Sequence, residues 1–384
     1  MERTVNIGVA GTGFIARGLV YALESQDDLT VASVLTRRQM EEIKNFPDKS
    51  VLTNNVEQFI ESSDLIVECS GDVIHGTAVI DKAISASLPV ITMNSELQIT
   101  TGSYFARRGF ITEAEGDQPG SLAALKENVE QMGFKPLVYG NIKGFLNTNP
   151  SREDMLYWAE RNGISLQMVT SFTDGTKVQI EQALAANGLQ ADIAAPGLLG
   201  FKAADINQGG TRLANEAARL NRPISDYLLC PKGPAGVFIT ATHDDIQQQP
   251  LSYLKMGEGP YYTLVQTFHL CHLEIMKTIR RVLNGEGVLL NNTASPSISV
   301  AAIAKRKLFP GDKIIKGIGS FEVRGEAVKM KAEPEHIPIG LIADATVTRV
   351  VEEGQILTFS DAELPESLAL KAWREVAGNA LIME

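Results

Sequence analysis

The sequence predicts an α/β fold: an N-terminal doubly wound parallel sheet, a central α+β domain and a small C-terminal β-rich module. Three observations predict it. Residues 6–16 (NIGVAGTGFIA) run a short apolar strand through G-x-G-x-x-A into a helical pattern. Strand-like and helix-like stretches then alternate up to Gly140, the pattern of a parallel sheet. Past Pro296, short β-runs broken by glycine turns take over.

Taken in order, the expected strands of the first domain are Val5–Ala10, Thr30–Leu35, Leu65–Cys69 and Pro89–Met93, followed by the shorter Phe110–Glu113 and Leu137–Gly140. Val73–Ser87 and Pro119–Met132 read as helices between them. The central part opens on Gly140-Asn141-Ile142-Lys143-Gly144. It continues with a helix over 151–162, a strand over Ser165–Phe172 and a helix from Thr176 to Asn187-Gly188. Strands are expected at 236–242 and 261–268, then a helix from His269 to Leu283. In the C-terminal module, Ala301–Lys307 reads as a helix, and the apolar run Ile337–Ile342 as either an exposed packing surface or a buried strand.

The glycine turn carries the first functional expectation. Gly11 permits the tight turn, and Gly13 lets a dinucleotide pyrophosphate approach bare backbone N–H groups at a helix N-terminus. Thr12, Phe14 and Ile15 belong to the same cradle, and Ala16 is small enough for helix to pack on strand. At the end of the second strand, NAD enzymes carry an acid that accepts the ribose 2′-OH. Thr36-Arg37-Arg38 stands there instead, and guanidinium groups bind a phosphate bidentately. NADP(H) is therefore expected over NAD(H).

The chain has 384 residues, 44% hydrophobic and 21% charged, with a formal net charge of −11 and no long basic run. That argues against nucleic-acid partners and anionic membrane surfaces. No stretch is long and apolar enough for a membrane span, and no signal peptide is visible. Cys69, Cys230 and Cys271 form neither a metal-ligand spacing nor a disulfide framework, so a cytoplasmic setting is expected.

Ligands in doubly wound sheets bind beyond the carboxyl ends of the strands. Ser70, Gly71 and Asn94 are expected against the cofactor, with Glu96, Glu115 and Asp117 nearby. These carboxylates are hard-ion ligands by type, while Asp117 equally suits the N-cap of the next helix. Lys143, in a loop-like segment, points into a cleft or into solvent. Asp174-Gly175-Thr176-Lys177 is read as a strand-to-helix junction, with Glu181 at i+4 from Lys177. This group is either a proton-donating, carbonyl-polarising site or a capping aspartate beside a surface ion pair. Lys255, in KMGEGP between two expected β segments, is a candidate for an anionic substrate group. His269 and His272, three apart, are expected on one helix face in a structural or substrate-polar role rather than at zinc. His336 is expected at the surface.

The series G-x-G-x-x-A, E-C-S-G-D, E-G-D-Q-P-G, G-N-I-K-G, D-G-T-K-x-x-I-E, T-H-D-D, Y-L-K-M-G-E-G-P-Y-Y and H-L-C-H-L-E spans almost the whole chain. It resembles the homoserine dehydrogenase-like oxidoreductases that end in a SAF domain, in particular the branch containing the 1-deoxy-D-xylulose 5-phosphate reductoisomerase-like enzyme. The resemblance implies a Rossmann domain over 1–142, a catalytic and dimerisation domain over 143–292 and a SAF-like module over 293–384, assembled as a homodimer or homotetramer. With the residue patterns above, this puts Lys143, Lys177, Asp174 and Glu181 as the expected catalytic set, and Glu96, Asp117, Lys255 and His269 as the residues expected at a small-molecule substrate. The expected function is NADP(H)-dependent oxidation or reduction of a polyol or sugar phosphate. A reductoisomerase reading adds a divalent cation, Mg or Mn, whose ligands the sequence leaves unknown. The alternatives are homoserine dehydrogenase-type alcohol oxidation without isomerisation and a non-enzymatic NADP(H) sensor. The C-terminal module is expected to carry no catalytic group.

Overall fold

The computed structural model describes residues 4–382. Its elements run β1 (Val5–Ala10), α1 (Phe14–Glu24), β2 (Leu29–Leu35), β3 (Leu52–Thr53), α2 (Val56–Glu61), β4 (Leu65–Glu68), α3 (Val73–Ser85), β5 (Val90–Thr92), α4 (Ser95–Leu97), α5 (Ser103–Ala106) and β6 (Ile111–Glu113). They continue α6 (Gln118–Gln131), β7 (Lys135–Lys143), α7 (Arg152–Asn162), α8 (Leu166–Thr173), α9 (Thr176–Gly188), β8 (Phe201–Lys202), α10 (Ile206–Leu220), β9 (Ile224–Leu229), β10 (Gly236–Thr242), α11 (Gln248–Tyr253), β11 (Tyr262–Gln266) and α12 (Cys271–Leu283). Then come β12 (Ile298–Ala304), β13 (Lys313–Ile314), β14 (Val323–Lys329), β15 (Ala345–Val347), β16 (Ala362–Glu363) and α13 (Leu368–Ile382).

Two compact units result. One contains the chain up to Ser121, His269–Ala294 and Leu368–Val376; the other contains Leu122–Phe268, Ser295–Ser367 and the chain from Ala377 onward. Residues 143–292, expected as one domain, are thus shared between the two units.

The first unit is a six-stranded parallel sheet in the order β3-β2-β1-β4-β5-β6, the Rossmann order. Val9 pairs with Val34 on one side and Val67 on the other. Both flanks of these strands are buried, which is why they read as continuous apolar runs. Ala16, Leu19, Val20 and Leu23 form the buried stripe of α1 and join Ile7, Val9, Ile275 and Ile279 in one core cluster. Phe59, Val79, Ile80 and Phe105 close another cluster with Ile66 and Val90.

The second unit holds a mixed sheet, β11-β10-β7-β9-β8, together with a β12–β14 pair and a small β13-β15-β16 sheet. Helix α9 lies between β7 and β9 on one flank and β12 and β14 on the other. Its residues are buried on every side, polar ones included. Four of its buried polar side chains reach strand backbone, the usual way a buried polar group is matched. Thr176 Oγ1 accepts from Gly325 N at 2.9 Å, and Gln179 Oε1 from Ala327 N at 2.9 Å. Gln182 Nε2 donates to Tyr139 O at 2.8 Å and Asp226 O at 2.6 Å. Asn187 Oδ1 accepts from Ile298 N at 3.0 Å.

Several local expectations are corrected. Ser165–Phe172 is not a strand: Ser165 Oγ accepts from Met168 N at 3.2 Å and caps α8. Ala301–Lys307 is not a helix. Its alanines belong to β12, buried on both faces and paired in register with β14. The Lys255–Pro260 loop joins α11 to β11 rather than two strands. The run Ile337–Ile342 is buried rather than exposed, without forming a strand.

His336 is also inside rather than at the surface. Its Nε2 lies 2.8 Å from Ser299 Oγ and its Nδ1 2.5 Å from Glu333 O. Burial holds its pKa below the usual histidine value. A depressed histidine contributes stability above its unfolded pKa of about 6.5 and loses that contribution as pH falls through the lower folded value. His336→Gln is expected to remove this acid-side loss, measured as the slope of unfolding free energy between pH 7.5 and 5. An unchanged slope contradicts the assignment.

Candidate active site

In the first unit, β1 delivers the chain to Gly11, whose φ of 124° is left-handed territory. A Cβ there would stand 2.9 Å from the Cys69 carbonyl oxygen, so only glycine fits. Gly13 is the N-cap of α1; no side chain caps this end and no acid occupies its first turn. A Cβ on Gly13 would meet no protein atom within 4 Å. The space beside Gly13 is therefore open for a ligand, at the positive end of a helix dipole. Thr12, Phe14 and Ile15 follow the same turn, with the exposed Phe14 ring edge-on to His272 at 5.7 Å.

Beyond β2, buried Thr36 accepts from Arg38 N at 3.2 Å, and Asn54 Nδ2 reaches Thr36 O at 2.5 Å and Arg38 O at 3.1 Å. The loop is thus fixed while both guanidinium groups stay exposed. Leu35, Thr36, Arg37, Arg38, Gln39, Asn54, Val56 and His75 line a cleft of about 300 Å³. Burial first, and then the Arg37 charge, hold His75 below the usual histidine pKa. Arg37, in the lining of this cleft, meets Asp72 Oδ2 through its Nη2 at 2.6 Å. The other oxygen, Asp72 Oδ1, caps α3 through His75 N at 2.9 Å. Burial pushes the Asp72 carboxyl up, but the His75 N–H and Arg37 together outweigh it and leave its pKa below the usual carboxylate value.

At the end of β4, Glu68 is wholly buried and its Oε1 accepts from Ser70 N at 2.9 Å and from the Ser70 hydroxyl. Burial raises the Glu68 pKa. This carboxyl, unremarked in the sequence reading although it stands in E-C-S-G-D, orients the segment that holds Ser70 and Gly71. Asn94 is buried and caps α4 through Leu97 N at 3.1 Å, with the half-buried Glu96 in that first turn. Cys69 is an inert thiol, its pKa pushed far up by burial.

The residues present fit a nicotinamide dinucleotide: an uncapped helix end with open space at Gly13, and a cationic cleft at the end of β2. No preformed metal cage is present among the described residues. Glu115 is taken by Lys277 at 2.5 Å, and among the described residues no three His, Cys, Asp or Glu side chains converge. Asp117 is buried and accepts from Gln118 N at 3.0 Å. His269 precedes α12 instead of sharing a helix face with His272.

In the second unit, the register of β7 puts Tyr139, Asn141 and Lys143 on the face toward α9. Lys143 Nζ lies 3.2 Å from Glu181 Oε2, and Asn141 Nδ2 donates to the same oxygen at 2.8 Å. Glu181 is 1% exposed and the Lys143 side chain 20%, so the carboxylate is inside and the ammonium reaches the surface. Lys177 sits half-buried in the first turn of α9. Asp174 follows α8, not a strand, and is fully buried with Lys305 Nζ at 2.6 Å; the same ammonium donates to Ser320 O at 2.6 Å. Burial raises the Asp174 pKa against the pull of Lys305. Its carboxylate therefore faces Lys305 rather than solvent. Lys255 is exposed at a φ of 63°, in a loop where Gln248 and Ser252 hold Glu258. Asn141 and Lys305 escaped the sequence reading. Asn141 had a signal, its place in G-N-I-K-G; Lys305 had none.

A glycine cradle at a Rossmann strand end and a lysine–carboxylate pair in an α+β unit define an NAD(P)-dependent oxidoreductase, and the family comparisons agree. Residues 11–106 match the NAD-binding domain of homoserine dehydrogenase, and residues 116–275 match the catalytic domain of the oxidoreductase DRL. No curated protein matches the chain. Among solved structures it is similar to a probable dehydrogenase from Thermotoga maritima, at 11% identity over 75% of this chain and 91% of that one, with a TM-score of 0.45. UDP-N-acetylglucosamine 3-dehydrogenase GnnA from Acidithiobacillus ferrooxidans matches at 12% identity over 76% of this chain and 93% of its own, with a TM-score of 0.44. An NAD-binding protein from Listeria innocua matches at 12% identity over 76% and 90%, with a TM-score of 0.39.

Proposed function

We propose that this chain is an NADP(H)-dependent oxidoreductase that interconverts a CH–OH group and a carbonyl on a small polyol- or sugar-phosphate-type substrate. The carrying observation is the Lys143–Glu181 pair, with Asn141 on the same carboxylate oxygen, inside the segment that matches the DRL catalytic domain. The bound nicotinamide supplies hydride chemistry. Lys143 Nζ gives its proton to the carbonyl oxygen as that oxygen gains charge, and takes it back in the reverse direction. Glu181 holds the Lys143 ammonium in place, and Asn141 fixes Glu181. Lys177, in the same unit, takes an anionic substrate group, with Lys255 as a further candidate.

Homoserine dehydrogenase-type oxidation of an amino acid needs a free carboxylate for the substrate ammonium. Glu181 is buried and already held by two donors, which favours the polyol or sugar-phosphate reading. Reductoisomerisation stays a variant of the same reading, with hydride transfer as its shared step. We place the protein in the cytoplasm, in line with three cysteines too far apart in sequence for a disulfide framework, as a homodimer or homotetramer. The exposed Val265 and Phe268 at the β11 edge suit such an assembly, and the β-rich C-terminal segments suit a SAF-like module.

Arg37→Ala combined with Arg38→Ala is expected to weaken NADPH by about tenfold or more, since a hydrogen bond to a charged group contributes roughly 1.5–3 kcal/mol. NADH binding should hardly change. The measurement is fluorescence titration with each cofactor beside an assay of NADPH consumption on ketose phosphates and on amino-acid semialdehydes. Equal loss for both cofactors contradicts the NADP(H) preference.

A further inference from the structure

We infer that Asp72 limits the cofactor selectivity of this protein, as an internal competitor that occupies Arg37 until a 2′-phosphate displaces it. The inference rests on the NADP(H) reading above and deepens it. Arg37 comes from the end of β2 and Asp72 from the turn after β4, and their ion pair ties up a guanidinium that lines the cleft with Arg38, Asn54 and His75. Asp72 is anchored where it stands, because its Oδ1 caps α3 through His75 N and its own N–H donates to Ser70 Oγ at 3.3 Å. Arg37 is the movable partner, with a side chain 61% exposed against 33% for Asp72.

A phosphate dianion in this cleft has two effects on the pair. It offers Arg37 two or more oxygens in the fork geometry a guanidinium prefers, and it brings its charge close to the Asp72 carboxylate. Binding thus costs the ion pair and some like-charge repulsion. A ribose 2′-OH meets neither cost and can donate to the same carboxylate. Asp72 therefore narrows the gap between the two cofactors that Arg37 and Arg38 open. The β4–α3 turn, and not only the end of β2, carries the selectivity.

Asp72→Asn isolates the charge, because asparagine caps helices as well as aspartate does. The probes are adenosine 2′,5′-bisphosphate and adenosine 5′-monophosphate, titrated calorimetrically into the full chain. For the wild type, the bisphosphate should bind more tightly. In Asp72→Asn its Kd should fall by roughly two- to fivefold, the scale of one exposed ion pair, while the monophosphate Kd stays constant or rises. Asp72→Ser, another cap-forming change, should behave the same way and guards against a folding effect. Tightening confined to the bisphosphate supports the inference. A wild-type preference for the bisphosphate with no tightening in either variant overturns the role of Asp72 alone. Equal wild-type affinity for both probes overturns the NADP(H) reading itself and the inference with it.

Discussion

Lys305→Met should destabilise the second unit by about 3–5 kcal/mol, because it strips the partner from a fully buried carboxylate. Asp174 has no solvent to turn to: the side chains of the pair are 0% and 1% exposed. Its second support, the N–H of Thr176 at 2.8 Å, neutralises no charge. The mutant can recover part of the loss by protonating Asp174, whose pKa burial already raises. Its stability should therefore increase as pH falls from neutral, against the usual acid trend. The double change Asp174→Leu with Lys305→Met removes both charges and should lie much closer to the wild type, since an apolar replacement of a buried pair is often neutral. Denaturant unfolding of the wild type, the two single variants and the double variant closes the cycle. If Lys305→Met costs less than 1 kcal/mol and is indifferent to pH, the pair is not closed to water.

Lys143→Ala should lower kcat by about 10²- to 10⁴-fold, the range typical of a positioned proton donor, while cofactor Kd is unchanged. Glu181→Gln keeps the shape and the contact to Asn141 but removes the counter-charge from Lys143. Glu181→Gln should therefore lower kcat as well, at unchanged cofactor Kd, because the ammonium is no longer held by a charged partner. Solvent-accessible surface lysines show no such linkage to a buried partner. Retained kcat in Lys143→Ala would instead mark the pair as a structural ion pair at the end of β7.

The two units differ in how much their sequence disclosed. In β1 to α1, apolar run, glycine turn and amphipathic helix all point the same way, so local pattern and tertiary context agree. The cleft at the end of β2 was legible because two arginines replaced an expected acid. Residues 165–172 misled because threonine, valine and phenylalanine favour strands, while one serine cap and burial of Val169 decided for helix. The alanines of β12 misled in the opposite sense, since their place depends on α9 and β14 on either side of them. Asp174 and Lys305 meet across 131 positions of sequence, and nothing local to either residue announces the partner. Asp72 was visible as part of E-C-S-G-D, but its hold on Arg37 depends on two strand ends lying side by side.

The hydrogen bonds of α9 also set a timetable. They join Thr176, Gln179 and Asn187 to backbone groups 149, 148 and 111 residues further along the chain. During synthesis those acceptors and donors do not yet exist when α9 leaves the ribosome, so the helix waits with half its polar side chains unmatched. Contacts this far apart slow folding, because loop closure must be met before they form. The carboxylate of Glu181 sits on that same helix. A nascent chain stopped short of Lys329 therefore lacks the strand backbone that anchors the ends of the helix carrying Glu181, and is expected to hold the lysine–carboxylate pair less firmly than the finished protein.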